Sequence, residues 1–159
     1  MQEQILKNFG RQDWQKQMPK LSFERHVPFS PSQMLSLVAD LKSYPNFVPN
    51  CSDMQVKDEG EDILAKMAVK FGPIEQAYTS RVKIDESAGV IRAIAIDGPF
   101  AHLDSGWKFD NEGQGTKVLF DIDFAFSNRL IAAVAEPAFA KIQNEILDAF
   151  MIEANKRFS

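Results

Sequence analysis

Few residues in this sequence have the types and spacing that catalysis or metal binding would require. It contains two histidines, His26 and His102, and neither stands at a metal-ligand spacing from a second strong ligand. Its single cysteine, Cys51, excludes an internal disulfide and is typical of a small, inert, buried thiol. We therefore predict no metal site and no nucleophile, and we assign both histidines structural or solvated roles.

The charged residues that stand close together follow the pattern of an outer sheet face. Asp121 and Asp123 alternate with phenylalanine and isoleucine, so a register that turned both carboxylates into a cavity would turn the apolar side chains outward. Arg81 and Arg92 are interpreted in the same way, although either could reach a ligand or an acidic partner from a cavity rim. No acid–base set is apparent, so we predict a protein that is not an enzyme.

The composition indicates one globular domain. The chain has 159 residues, of which 45% are hydrophobic and 25% charged, and no apolar run approaches the roughly 20 residues that a membrane helix needs. A net charge of -4 weighs against a general affinity for nucleic acid. The 13 phenylalanines supply apolar ring surface for a bulky core or for the wall of a cavity. We expect a cytoplasmic protein.

The elements that must position these residues begin with a strand and short helices. Residues 1–20 are predicted to form an N-terminal tail or a short helix, and residues 21–159 are predicted to form one domain. The first strand of this domain has an inward face interrupted by Arg25. Ser30 and Pro31 then have the types expected at the start of a helix, an N-cap followed by a residue of fixed φ.

The rest of the chain predicts a sheet followed by a long helix. Over residues 51–127 the apolar period is two, with glycine-containing turns, as in a meander of antiparallel strands. A helical period covers residues 128–157, where Pro137 is expected to kink the helix or restart it.

One strand of the meander can point inward in either of two registers. Its even positions would bury Arg92, and an unpaired buried guanidinium is costly. We therefore predict that the odd positions point inward, where Ala93 and Ala95 leave space beside the helix. The expected architecture is an α+β domain, a curved antiparallel sheet of about seven strands wrapped on the long C-terminal helix. Such a sheet can enclose a cavity.

Several motifs follow one another along the chain. They are Tyr-Pro-Asn-Phe-Val-Pro at 44–49 followed by Cys51, Thr-Ser-Arg-Val at 79–82, Asp-Gly-Pro-Phe at 97–100 with Leu103 and Trp-Lys-Phe at 107–109, and the apolar strand 120–126. In this order they resemble one branch of the START-like, helix-grip superfamily, the coenzyme-Q-binding, oligoketide cyclase-like branch, which also includes a bacterial ribosome association toxin. In one departure from its pattern, Asn50 stands where the family often has tryptophan.

The resemblance implies a helix-grip fold with a hydrophobic tunnel between the sheet and the C-terminal helix. It implies a lipid carrier that binds ubiquinone or a related isoprenoid, supports respiration and quinone biosynthesis, and requires no further cofactor. The expected partners are this hydrophobic ligand and, transiently, the inner face of the membrane. The alternative is a toxin that binds the large ribosomal subunit and blocks subunit joining, which a basic patch of Lys66, Lys70, Arg81 and Lys83 would favour. A second alternative is an aromatase or cyclase, for which no convergent acid–base set is apparent. Either Arg81 or Arg92 could reach a quinone from a cavity rim. The oligomeric state is left open.

The predicted site consists of a gate and a cavity wall. Two residues of the wall, Tyr78 and Ser80, are the candidates for contact with a quinone head. Turn segments with apolar residues are expected at the gate or the membrane contact: Phe47, Val48, Pro49, Gly98, Pro99 and Phe100. The predicted cavity wall consists of Met67, Val69, Tyr78, Ser80, Ala93, Ala95, Leu103, Trp107, Phe120, Ile122, Phe124, Phe139, Ile142, Ile146 and Phe150.

Overall fold

A computed structural model describes residues 20–71 and 73–159 of the chain. The expectation for the N-terminal segment, residues 1–20, therefore lies outside the described residues except at its last position. The elements, in chain order, are β1 (Lys20–Val27), α1 (Pro31–Ala39), a 3-10 helix (Leu41–Asn46), β2 (Cys51–Glu59), β3 (Asp62–Phe71), β4 (Ile74–Asp85), β5 (Val90–Ala95), β6 (Phe100–Glu112), β7 (Gly115–Phe126) and α2 (Arg129–Phe158).

The seven strands form one antiparallel sheet in the order β1-β7-β6-β5-β4-β3-β2. The first strand therefore joins the edge beside the last one, and the remaining strands follow as a meander. The long helix α2 packs on β7, β1 and α1. This arrangement confirms the α+β, helix-grip architecture.

The start of α1 is fixed by local hydrogen bonds. Ser30 Oγ accepts the backbone N–H of Gln33 at 3.1 Å, and the Gln33 side chain accepts the backbone N–H of Ser30 at 2.9 Å. This reciprocal capping box satisfies two amide groups that the helix itself leaves unpaired. The helix then buries Met34 and Leu37 completely against the core.

The C-terminal helix runs through Pro137 as one element, so it does not restart there. Its N-cap is Asn128, whose side chain accepts the backbone N–H groups of Leu130 and Ile131. Proline removes the hydrogen bond to the carbonyl four residues earlier, which is that of Ala133. Because Pro137 and Ala133 are both exposed, that carbonyl can be hydrated and the helix can continue.

The side chains of β5 and β7 lie on the faces of the sheet that the apolar alternation predicts. In β5, Ile91 is buried while Arg92 is exposed and binds Asp104 with both carboxylate oxygens, at 2.6 and 2.7 Å. The predicted odd-inward register is therefore confirmed. In β7, Val118, Phe120, Ile122 and Phe124 are all buried, and the aspartates between them lie on the other side.

Arg25, the charged residue that interrupts the inward face of β1, contacts α2 and attaches this helix to the sheet. Arg25 Nη2 donates to Asn144 Oδ1 at 2.7 Å and lies 3.2 Å from Asp148 Oδ1, both on α2. Arg25 Nη1 also donates to the backbone carbonyl of Glu24 at 3.0 Å. The guanidinium therefore lies at the edge of the core, where its partners and water satisfy it.

Candidate ligand-binding site

An inner chamber of about 130 Å³ lies between the concave face of the sheet and α2. Its floor is made by inward residues of β2 to β7, its roof by α2, and one side by α1 and the segment after it. Ala93 is a small residue in the middle strand of this floor, and a larger side chain there would occupy the chamber. The wall is formed by Val38, Leu41, Tyr44, Val48, Pro49, Asn50, Met54, Ala65, Met67, Val69, Tyr78, Ser80, Val82, Ile91, Ala93, Leu103, Ser105, Trp107, Phe120, Ile122, Phe139, Ile142, Gln143, Ile146 and Phe150.

An outer groove of about 830 Å³ adjoins the chamber. It lies between the first half of α2 and the β3–β4 hairpin, with Pro99, Phe100 and Phe126 along its side. The two cavities are adjacent and share five wall residues, namely Asn50, Val69, Tyr78, Phe139 and Ile142. The remaining groove residues are Ile74, Gln76, Leu130, Ile131, Val134, Ala135, Ala138, Lys141 and Glu145.

Among the described residues, no Asp, Glu, Lys, Arg or His side chain lines the inner chamber. Its titratable groups are two tyrosine hydroxyls. Burial raises the pKa of Tyr78 to about 12, and burial raises the pKa of Tyr44 further still. Both tyrosines are therefore neutral at physiological pH, and the chamber suits an uncharged ligand.

Polar side chains enter the chamber wall at a few positions. Tyr44 donates to the backbone carbonyl of Val38 at 2.5 Å, and the Tyr78 hydroxyl lies 3.7 Å from the sulfur of Met67. Gln143 Nε2 donates to the carbonyl of Phe139 at 3.1 Å. Ser80 and Ser105 also line the chamber, and neither hydroxyl makes a hydrogen bond with another residue that the structure describes.

The structure places all but two of the predicted wall residues on the chamber, and their contact with a ligand stays a prediction. The two exceptions are Ala95 and Phe124, which line neither cavity. Phe124 is completely buried because the ring of Phe139 covers it, with the centroids 4.7 Å apart. Ala95 is the last residue of β5 and packs against the core beyond the chamber floor.

The predicted gate residues divide into three groups. Val48 and Pro49 line the chamber, while Pro99 and Phe100 line the groove. Gly98 has a φ of 99° and an added Cβ would lie 2.5 Å from the Cβ of Tyr78, so this turn requires glycine. Phe47 lines neither cavity. A gate or membrane role for these residues stays a prediction.

The two histidines lie away from the chamber, whereas Cys51 lies behind its wall, next to Asn50 and opposite Val69. His26 bridges Glu112 and Glu24 on the surface at 2.7 and 2.9 Å, and these hydrogen bonds raise its pKa. His102 pairs with Asp123 at 3.1 Å on the outer face of the sheet. The Cys51 thiol is buried, and burial raises its pKa to about 11.

The basic patch on the outer face is partly neutralised. Arg81 and Lys83 both contact Asp62, at 3.1 and 2.9 Å, and these cations, Lys83 foremost, lower the pKa of that carboxyl group. Lys66 and Lys70 form no ion pair with a residue that the structure describes. Two of the four predicted cations therefore present unpaired charge.

Four polar residues of the chamber wall lie outside the predicted site, namely Tyr44, Asn50, Ser105 and Gln143. Gln143 stands four residues after Phe139 and four before Leu147, on the stripe of α2 that is otherwise apolar. A polar residue at a helical position where the apolar period predicts burial could have identified Gln143 as a site residue. Ser105 stands two positions from both Leu103 and Trp107 in β6. The strand period therefore predicts that it shares their inward face.

Fold, chamber and sequence together define the class of protein. Residues 27–151 match the family described as polyketide cyclase / dehydrase and lipid transport, and the chain belongs to this family. Its fold is the START-like helix grip, as in the Zhui aromatase/cyclase from Streptomyces sp. R1128, which superposes with a TM-score of 0.77 at 18% identity over 89% of this chain and 96% of that one.

Two curated relatives belong to the branch that the motifs indicated. The chain is 31% identical to the ribosome association toxin RatA of Escherichia coli K12, over 89% of this chain and 90% of the relative. It is 26% identical to the mitochondrial coenzyme Q-binding protein coq10 of Schizosaccharomyces pombe, over 82% of this chain and 83% of the relative. Among the described residues, no helix is both long and apolar enough to span a membrane.

Proposed function

We propose that this protein is a non-catalytic carrier that binds ubiquinone or a related isoprenoid lipid in the chamber and groove. The observation that carries the proposal is the shared wall, which sets an uncharged inner chamber directly beside a larger and mainly apolar groove. In this proposal the ligand occupies both. A ligand with a compact head and a long apolar tail matches this shape. The name of the coenzyme Q-binding relative supports a quinone as the head.

Burial of the tail supplies the affinity in this proposal. Each CH₂-sized unit removed from water contributes about 0.8 kcal/mol before the cost of ordering the ligand. The groove falls within the range of about 300–1,000 Å³ that is usual for ligand pockets, so several isoprene units can be covered. A charged anchor is not needed.

Exposed apolar residues at the groove mouth support transfer to and from a membrane. Leu130 and Val134 are 80% and 72% exposed on the first half of α2, and Ile74 is 48% exposed on the hairpin across the groove. Apolar side chains in such positions can enter the interfacial layer of a bilayer. A carrier of this kind would act in the cytoplasm with transient contact at the inner membrane face, in support of respiration and quinone biosynthesis.

The chamber disfavours a cyclase. General acid–base catalysis needs a group whose pKa lies near the working pH. The titratable side chains among the described wall residues are the two tyrosines, whose raised pKa values keep them protonated. The likeness to the aromatase/cyclase, at 18% identity, concerns the fold alone.

Organic extraction of the freshly purified full chain, followed by mass spectrometry, tests the carrier. We expect an isoprenoid quinone or a close relative to co-purify, and we expect less of it with the chamber-filling variant Ala93→Phe. Failure both to retain a lipid and to bind an added short-tailed quinone would overturn the proposal.

The names of the toxin relatives favour a second candidate, in which the protein binds the large ribosomal subunit and blocks subunit joining. Lys66 and Lys70 would be its contacts, because their charges are unpaired among the described residues. The test adds purified protein to separated subunits and follows joining on sucrose gradients. A dose-dependent loss of joined ribosomes, weakened by Lys66→Glu with Lys70→Glu but not by Lys156→Glu on α2, would support the toxin. Unchanged joining supports the carrier alone.

A further inference from the structure

We propose that Ser80, Ser105 and Gln143 form a hydrogen-bonding subsite that holds the carbonyl oxygens of a quinone-type head deep in the chamber. The inference rests on the proposed function and gives the ligand a direction. All three residues line the inner chamber and none lines the groove. The head therefore enters first, and the tail leaves along the groove.

Gln143 is the strongest indication of such a subsite. It is only 4% exposed and stands on the buried stripe of α2, between Phe139 and Leu147, where packing alone would favour an apolar residue. Its Nε2 donates to the backbone carbonyl of Phe139. This bond determines the orientation of the Gln143 amide, because a backbone carbonyl can accept a hydrogen bond only from the NH₂ group and not from Oε1. The second N–H and Oε1 remain for a group in the chamber.

The two serines approach from the opposite wall. Ser80 on β4 stands across from Ala95, and Ser105 on β6 stands across from Ala93, so both flank β5. Two strand spacings of about 4.8 Å separate their strands, which places the serine backbones on the order of 10 Å apart. Because the side chain of Ala93 is small, no bulky group occupies the chamber floor between the two serines.

An unpaired hydroxyl in an apolar wall is costly. Transfer of a hydroxyl from water into an apolar site without a new hydrogen bond is unfavourable. Both serine hydroxyls face the chamber and make no hydrogen bond with another described residue. A ligand that accepts hydrogen bonds relieves this cost, whereas a hydrocarbon does not.

A 1,4-quinone has the matching chemistry. Its two carbonyl oxygens lie on opposite sides of a flat ring and only accept hydrogen bonds, while serine hydroxyls and the glutamine N–H donate. Trp107 and Phe120 line the same chamber and offer ring surface for the head. Tyr78 lies on the wall that both cavities share, so in this orientation it contacts the junction of head and tail.

The experiment compares two ligands with the same tail. Binding of a 1,4-benzoquinone with a ten-carbon alkyl chain and of decylbenzene is measured by equilibrium dialysis with the full chain. The variants are Gln143→Leu, which nearly preserves volume, and Ser80→Ala with Ser105→Ala. Thr79→Ala, next to Ser80 but on the outward side of β4, is the matched control. Gln143→Met is used if Gln143→Leu does not fold.

We expect quinone binding to weaken about tenfold in each subsite variant, as for the loss of a hydrogen bond. Decylbenzene binding should stay unchanged or strengthen, and the control should bind both ligands as the parent does. Unchanged quinone binding in folded variants, or an equal loss for both ligands, would overturn the subsite. Failure of the parent protein to bind either ligand would instead overturn the proposed function.

Discussion

The ring of Phe47 stands edge-on to the ring of Phe150, with the centroids 5.1 Å apart and the planes at 90°. Phe47 also contacts Tyr44, with centroids 6.1 Å apart, and the guanidinium carbon of Arg157 lies 5.8 Å from its centroid. Because Phe150 is a buried residue of α2, these contacts attach the segment after the 3-10 helix to the helix that covers the chamber.

The first prediction is that Phe47→Ser destabilises the fold. The loss of a partly buried ring that packs on the core should lower the free energy of unfolding by about 2 kcal/mol. Urea denaturation measures this change, with Phe47→Leu as the milder control. If Phe47 serves this packing and not the membrane contact predicted from the sequence, association with liposomes stays the same. A stable variant that no longer associates would show that Phe47 serves the membrane contact instead.

The second prediction concerns Leu130 and Val134 at the groove mouth. Their exposure means that Leu130→Ser with Val134→Ser should change the stability by less than about 0.5 kcal/mol. Each fully inserted aliphatic side chain contributes roughly 1.5–3 kcal/mol, so quinone transfer between two liposome populations should slow at least tenfold. Ile152→Ser is the matched control, since Ile152 is 60% exposed on the same helix but lines neither cavity. Equal transfer by the double variant and the control would contradict this surface.

The third prediction concerns the chamber volume. Ala93→Phe places a ring in a chamber of about 130 Å³ and should weaken lipid binding at least tenfold while the fold survives. The control is Ile94→Phe, because Ile94 is 48% exposed on the opposite side of the same strand. Dialysis and thermal melting measure the two effects. Severe unfolding would mean that Ala93 belongs to tightly packed core.

The fourth prediction concerns the pH dependence of Cys51. Burial raises the pKa of its thiol from 9.0 to about 11, so the folded protein keeps the proton where the unfolded chain loses it. Stability from this group is present below pH 9 and falls as the pH rises toward 11. Alkylation by iodoacetamide should therefore be slow at pH 8 in the folded protein and fast in urea. Equal rates would show an accessible thiol of ordinary pKa.

Local patterns determined most of the fold. The alternation of Phe120, Ile122 and Phe124 with aspartates assigned the faces of β7, and the cost of burying Arg92 selected the register of β5. Ser30 and Pro31 indicated the start of α1 in the same way. Such signals can be interpreted from sequence because capping, strand alternation and helical period involve residues a few positions apart.

The site depended on contacts between distant segments. Phe124 shares the face of Phe120, yet the ring of Phe139 covers it, so only Phe120 reaches the chamber. Phe47 belongs to an apolar turn motif, but its partner Phe150 lies on the last helix.

Capping, strand alternation and helical period predicted the architecture, the apolar cavity wall and the outward position of the charged residues. The tertiary structure was needed to establish which wall residues line the chamber, that the groove lies beside it and that Gln143, Ser80 and Ser105 share its wall. A cavity exists where a helix and a curved sheet fail to close on each other. That separation is set by the combined packing of all their side chains, which no local period encodes.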